Sequence, residues 1–275
     1  MPPPQRPTVA ELVGDLAAEQ AALDDIVAGR SDADWRRPTP SPGWTVADQV
    51  GHLAYFDRAG ARAIDDPEGF AVEIAALGEA LERGEDPTSG FLDEFRALAL
   101  ADLLDTWRAA RAALLEAAAG LTGGDRLAWY GPSMSAASFL TARLMETWAH
   151  GQDVADALGV VRVPTDRLRH VAQLGVITRR WSYAVRGREA PADPVAVVLS
   201  APSGATWQWG DRDGAAESIT GPAVDFCLVV TQRRSLEDTS VVVTGAHAEE
   251  WMRLAQAFAG AATEGPPPGG RLHRG

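Results

Sequence analysis

The chain has 275 residues, of which 46% are apolar, enough to bury one large core or two ordinary ones. Its formal charge is −13, from 38 acidic and 25 basic residues, and every basic residue is arginine because no lysine occurs. That balance excludes lysine Schiff-base and phosphate-loop chemistry and disfavours nucleic acid and anionic membranes as partners.

Thr8 and Glu11 open the first predicted helix as a capping box, and Val9, Leu12, Leu16, Leu23 and Ile26 recur at helical spacing up to Gly29. The next stretch, SDADWRRPTPSPGW, is too rich in proline and turn formers to continue it. Thr45 and Asp48 cap a second helix, TVADQVGHLAYFDRAGARAI. A shorter helix, FAVEIAALGEALERG, precedes a Pro-Thr-Ser-Gly loop at 87–90. A long helix is then predicted from about Leu92 to Leu121, with Leu103, Leu104, Trp107, Leu114 and Leu115 as its apolar face. TGGDRLAWYGP reads as a loop, and a last long helix runs from Ser133 or Ser135 to Leu158, with Gly159 as its stop. Four long helices imply a four-helix bundle over residues 1–160.

Beyond VVRVP the pattern changes. Thr165 caps a helix to about Val185, and PVAVVLSAPSGATWQWGDRDGAAESITG reads as short strands separated by Ser-Gly and Asp-Gly turns. GPAVDFCLVVTQRR reads as a helix, SVVVTG as a strand and AHAEEWMRLAQAFAG as a closing amphipathic helix. Residues 161–263 thus form a smaller α+β module, residues 264–275 are expected to be disordered, and the fold class is α+β. Cys227, the single cysteine, lies in the apolar run VDFCLVV and reads as core rather than nucleophile. No stretch reaches the roughly 18 apolar residues of a membrane span, and MPPPQRPTVAEL lacks a signal-peptide pattern, so a cytoplasmic location is expected.

The chemistry concentrates in METWAHGQD. On the last bundle helix Phe139, Arg143, Glu146, His150, Asp153 and Ala157 fall in one stripe, while Leu140, Leu144, Trp148 and Leu158 cover the opposite side. Buried charges are costly unless paired or coordinating something. Two readings follow. In one, Arg143 pairs with Glu146 and His150 bonds Asp153. In the other, Glu146 and His150, one turn apart, hold a metal ion, and His52 on the second capped helix is the candidate third ligand.

The text around His52, DWRRPTPSPGWTVADQVGHLAYFD, resembles the signature of the DinB-like, mycothiol-dependent maleylpyruvate isomerase superfamily, in which a PT-x-x-PGW segment leads into a helix bearing W-x7-H. The second signature, R-x2-E-x3-H-x2-D, is matched by Arg143, Glu146, His150 and Asp153. The resemblance implies His52, Glu146 and His150 around one divalent metal, usually zinc, in a four-helix bundle, with Trp44 lining the site and mycothiol as co-substrate. The C-terminal text, VVVTG-x2-A-x2-W-x3-AQAFAG, resembles an actinobacterial metal-binding branch whose second domain is similar to sterol-carrier-type modules.

Two imidazoles and one carboxylate leave a divalent ion with net charge of about +1 and an open position, the arrangement of a catalytic site. Asp153 or Asp57 could orient a ligand imidazole or simply make a salt bridge, and Arg143 could orient Glu146 or meet an anionic substrate. Arg233 and Arg234 could bind a substrate carboxylate from the second domain, or be a solvated helix end. His170 and His247 read as surface or boundary residues, and His273 as incidental; Trp207 and Trp209 could face either way. The expected function is a metal-dependent isomerase or thiol transferase of the mycothiol type, acting as a monomer or homodimer on a small electrophile such as an unsaturated acid, epoxide or quinone. The alternatives are a thiol-independent cyclase, isomerase or hydrolase, and a non-catalytic carrier.

Overall fold

The computed structural model describes residues 7–83, 90–211 and 215–270. They fall into two compact units, Pro7–Val160 and residues 161–270, and together form an α+β protein.

The first unit is built on four long helices: α1 (Val9–Val27), α3 (Val46–Asp65), α6 (Leu100–Ala118) and α7 (Ala136–Leu158). Each of the first two starts at a complete capping box, Thr8 with Glu11 and Thr45 with Asp48, so both directions of the reciprocal side-chain to backbone bonding are present. Helix α7 starts at Ser135, whose hydroxyl accepts from Ser138 N, and stops at Gly159 in the left-handed conformation, φ 69°. Helix α3 packs on α6 and α7, and α1 on α7 and α6, which closes the four-helix bundle. Leu12, Leu16, Leu23, Leu53, Leu103, Trp107 and Leu114 are among the fully buried side chains between them.

Between these helices lie elements that differ from the sequence expectation. The proline-rich connection holds a one-turn helix, α2 (Asp32–Trp35), started by a Ser31–Asp34 capping box, and Trp35 is buried. Helix α4 (Pro67–Glu82) begins earlier than expected. The long helix expected from Leu92 to Leu121 is broken: α5 (Asp93–Arg96) is one turn, and Ala99 is extended before α6. Tertiary contacts override local propensity there, since Phe95 seats on Gly51, where a Cβ would come within 3.0 Å of it, and Arg96 pairs with Asp48 at 2.7 Å. The segment read as a loop after α6 is a hairpin, β1 (Arg126–Trp129) and β2 (Gly131–Ser135), with Leu127 opposite Met134. It is held by Trp129, which packs on Phe70 and Phe139. Residues 87–89 of the loop expected at 87–90 lie outside the described residues.

The second unit is a mixed four-stranded sheet in the order β4 (Thr206–Trp209), β3 (Ala196–Ser200), β5 (Ser218–Pro222), β6 (Val242–Thr244). Strands β3 and β5 are parallel and the outer pairs antiparallel, and Ala196, Val197, Val198 and Leu199 of β3 are all buried. Helices α8 (Leu168–Ile177), α9 (Arg179–Ala184), α10 (Ala223–Val230) and α11 (Ala246–Leu254) accompany it. One continuous helix from Thr165 to Val185 was the expectation. The helix instead begins at Leu168 without a side-chain cap and is interrupted at Thr178, whose hydroxyl bonds back to Leu174 O at 2.7 Å. Helix α11 ends at Leu254 because the following backbone turns to other partners, Gln256 N to Ser182 Oγ and Ala257 N to Val230 O. Cys227 is fully buried. Of the tail expected to be disordered, residues 264–270 are described, and Gly269 N donates to the Asp238 carboxylate; His273 and the expected Asp-Gly turn at 213–214 lie outside the described residues. Among the described residues no helix is long and apolar enough to cross a membrane.

Candidate metal centre

Helix α7 presents its apolar back, including Leu140, Leu144 and Val154, to the bundle core and carries Glu146 and His150 one turn apart on its front. The α3 capping box fixes where that helix begins and thereby the height at which His52, seven residues beyond Thr45, meets α7. The three side chains converge: His150 Nε2 is 3.0 Å and His52 Nε2 3.6 Å from Glu146 Oε2, and the imidazole centroids are 4.3 Å apart. One ligand atom from each of the three lies within 4.8 Å of the others, a spacing that one cation can span.

The site is largely withdrawn from solvent. The His52 and His150 side chains are 14% and 12% exposed, and Glu146 is 25% exposed. Trp44 stacks on His150 with ring planes 15° apart and also packs on His52; Phe56 and Phe91 complete the wall around His52. Burial, reinforced by the neighbouring His150, pushes the His52 pKa down to about 3, so its imidazole is neutral and has a lone pair to offer at ordinary pH. Burial would raise the Glu146 carboxyl, but the hydrogen bond with His150 and the adjacent His52 imidazole outweigh it and hold the group well below its usual 4.5. Two imidazoles beside one carboxylate are a donor set suited to a divalent transition metal. His52 Nδ1 is buried without a hydrogen-bond partner, which fits a ring whose position is set by packing and by what its nitrogens face.

Arg143 does not pair with Glu146. Its guanidinium donates to Asp57 Oδ1 at 2.8 Å, and both side chains are buried. Asp57 also accepts from Gln20 Nε2 at 3.1 Å and Trp107 Nε1 at 3.3 Å, so it anchors α1, α6 and α7 to α3 and does not orient His52. Burial raises the Asp57 pKa above 3.8, opposed by Arg143, Trp107 and Gln20. The imidazole partner expected to be Asp153 is Gln49: its Oε1 is 2.5 Å from His150 Nδ1, while Nε2 of that ring faces Glu146. Asp153 is fully buried and accepts from Ser41 Oγ at 3.2 Å, tying the loop before α3 to α7.

Arg233 and Arg234 belong to the second unit, on the turn after α10 where Gln232 has φ 58°. Their Nη1 atoms donate to Thr231 O and Arg233 O. His247 Nδ1 lies 3.0 Å from Asp193 Oδ2 on a partly exposed surface. Trp207 and Trp209 are both buried, and Trp209 Nε1 donates to Gln173 Oε1. Sequence reasoning missed Gln49, Phe56 and Phe91 as members of the site. An amide three residues before His52 was the available signal for Gln49, but an uncharged residue stands out little in a search for titratable groups.

The fold and the cluster define a helix-bundle protein with a His–Glu–His set of metal-ligand type. Residues 16–155 match the sequence profile of the family described as the mycothiol maleylpyruvate isomerase N-terminal domain. The chain belongs to that family. Proteins of two Mycobacterium tuberculosis strains, each named as uncharacterized, are 48% identical to it over 263 residues, covering 94% of this chain and 97% of theirs. Among solved structures, the mycothiol-dependent maleylpyruvate isomerase has a TM-score of 0.56 at 17% identity, across 86% of this chain and 92% of its own. A histidine-to-alanine mutant of that isomerase gives 0.55 at 15%, across 85% and 92%. These likenesses establish a shared fold.

Proposed function

We propose that the protein is a metal-dependent enzyme of the mycothiol-dependent isomerase or thiol-transferase type, acting on a small electrophilic metabolite. The convergence of His52, Glu146 and His150 in a member of this family carries the proposal. These three would hold one divalent ion, with zinc the first choice for two imidazoles and a carboxylate. A bound ion of this kind supplies Lewis acidity that favours the deprotonated form of a thiol or water reaching it.

The protein's own residues supply the rest. His52 stays neutral because it is buried, and Glu146 stays deprotonated because His150 bonds it and the His52 imidazole lies beside it. The Arg143–Asp57 pair, one turn from Glu146 on α7 and just beyond His52 on α3, holds the two ligand-bearing helices in register. Trp44, Phe56 and Phe91 limit access of water around the imidazoles. The C-terminal unit, whose sequence resembles sterol-carrier-type modules, is assigned no chemical step.

Metal analysis of the purified protein, followed by calorimetry with mycothiol, tests the reading. The expected result is one divalent ion per chain and saturable thiol binding that disappears in His52→Ala. Stoichiometric metal retained by the His52→Ala, His150→Ala double variant would sink the ligand assignment. A metal-loaded wild type indifferent to thiols would instead favour thiol-independent chemistry.

A further inference from the structure

His150 has two ring nitrogens, and only the unprotonated one can ligate a cation. Which one that is follows from a chain of hydrogen bonds running back into the loop before α3. Thr39 Oγ1 lies 2.9 Å from Trp44 O. A carbonyl carries no proton, so the hydrogen between these oxygens belongs to the Thr39 hydroxyl. With its only proton committed there, Thr39 Oγ1 must accept from its other neighbour, Gln49 Nε2, at 2.9 Å. That contact fixes the orientation of the amide, which is fully buried, and turns Gln49 Oε1 toward His150 Nδ1. Two acceptors cannot sit 2.5 Å apart without a proton between them, so Nδ1 carries the hydrogen. Nε2 faces the Glu146 carboxylate at 3.0 Å, a contact that needs a proton or a cation between the two atoms, so Nε2 is the nitrogen that a cation would take.

We infer that Gln49 is a positioning residue which, held by Thr39, keeps a proton on His150 Nδ1 and so leaves Nε2 as the nitrogen for a cation. The inference rests on the metal-site reading above for its functional meaning and deepens it; the proton on Nδ1 does not depend on a metal. The same loop also carries Trp44, whose ring stacks on His150, so one short segment sets both the ring's plane and its protonation pattern. The orienting acceptor is a neutral amide rather than a carboxylate, so it fixes the ligand without adding negative charge to the site.

The test begins with the metal-free wild type. Long-range proton–nitrogen correlation NMR, with the His150 signals assigned by their loss in His150→Ala, reads the tautomer directly. A protonated Nδ1 is expected, with Nε2 sharing a proton with Glu146 until zinc displaces it; an unprotonated Nδ1 would overturn the inference. Gln49→Leu removes the acceptor at similar volume, and Gln49→Glu keeps it. In Gln49→Leu the tautomer should become mixed and zinc affinity, measured by competition with a chromophoric chelator, should fall roughly 10- to 100-fold. Gln49→Glu should keep the wild-type tautomer. A folded Gln49→Leu with wild-type tautomer and wild-type zinc affinity would also overturn the inference. If Gln49→Leu does not fold, the wild-type spectrum still decides. If the wild type shows the expected tautomer but binds no zinc, the metal reading fails while the hydrogen-bond assignment stands.

Discussion

Replacing Arg143 by Met should unfold the bundle far more readily than its distance from solvent-facing chemistry suggests. The substitution leaves a fully buried Asp57 carboxylate with two neutral donors, Gln20 at 3.1 Å and Trp107 at 3.3 Å, in place of a guanidinium at 2.8 Å. Removing one partner of a buried ion pair costs about 3–5 kcal/mol, chiefly from the charge left behind. Asp57→Asn added to Arg143→Met removes that charge and keeps an acceptor for Gln20 and Trp107, so the double variant should recover roughly 1–3 kcal/mol. The pH dependence has a definite sign. Burial already raises the Asp57 pKa above its ordinary 3.8, and losing Arg143 removes the strongest opposing influence. The folded single variant then binds a proton more readily than the unfolded chain, so its stability should rise as pH falls from 7 toward 5. Urea melts at both pH values, followed by tryptophan fluorescence, measure these quantities. A loss below about 1 kcal/mol at pH 7, or no recovery in the double variant, would refute the reasoning.

The Asp24 carboxyl is held below its usual pKa mainly by its hydrogen bond with Arg108, with Arg111 alongside, against a smaller upward push from burial. Its stabilisation is present above pH 3.8 and lost as pH falls through the lower folded-state value, so Asp24→Asn should flatten the acid limb of a stability–pH curve measured by urea midpoints. Gly60→Ala should destabilise the bundle by about 1–3 kcal/mol, because the new Cβ would meet Phe139 Cζ at 2.9 Å and Leu114 Cδ1 at 3.0 Å; an unchanged melting temperature would contradict that packing. Gly175→Ala should cost a similar amount in the second unit, where the added methyl would lie 2.8 Å from Val230 Cγ2, and thermal unfolding checks it. Divalent metal should change the tryptophan fluorescence of the wild type but much less that of Trp44→Phe, since Trp44 packs on both ligand imidazoles.

Much of this was already written in the linear chain. Thr8 with Glu11 and Thr45 with Asp48 announce their helices because capping is a local exchange of hydrogen bonds between residues three apart. Gly159 marks the end of α7 for the equally local reason that a left-handed residue is needed there. Glu146 and His150 are one turn apart by helical geometry alone, and their pairing with His52 was legible through the flanking motifs. What the chain alone did not reveal depends on groups brought from afar. The break at residues 97–99 is set by Phe95 finding Gly51 and Arg96 finding Asp48, contacts that span more than forty residues. Arg143 had Glu146 within reach on its own helix, yet Asp57 wins because it is buried with two further donors and so offers a deep site where a guanidinium's charge is matched. Gln49 outcompetes Asp153 at His150 for the same kind of reason: which acceptor faces a ring nitrogen is decided by how α3 and α7 pack, a fact no spacing within either helix contains.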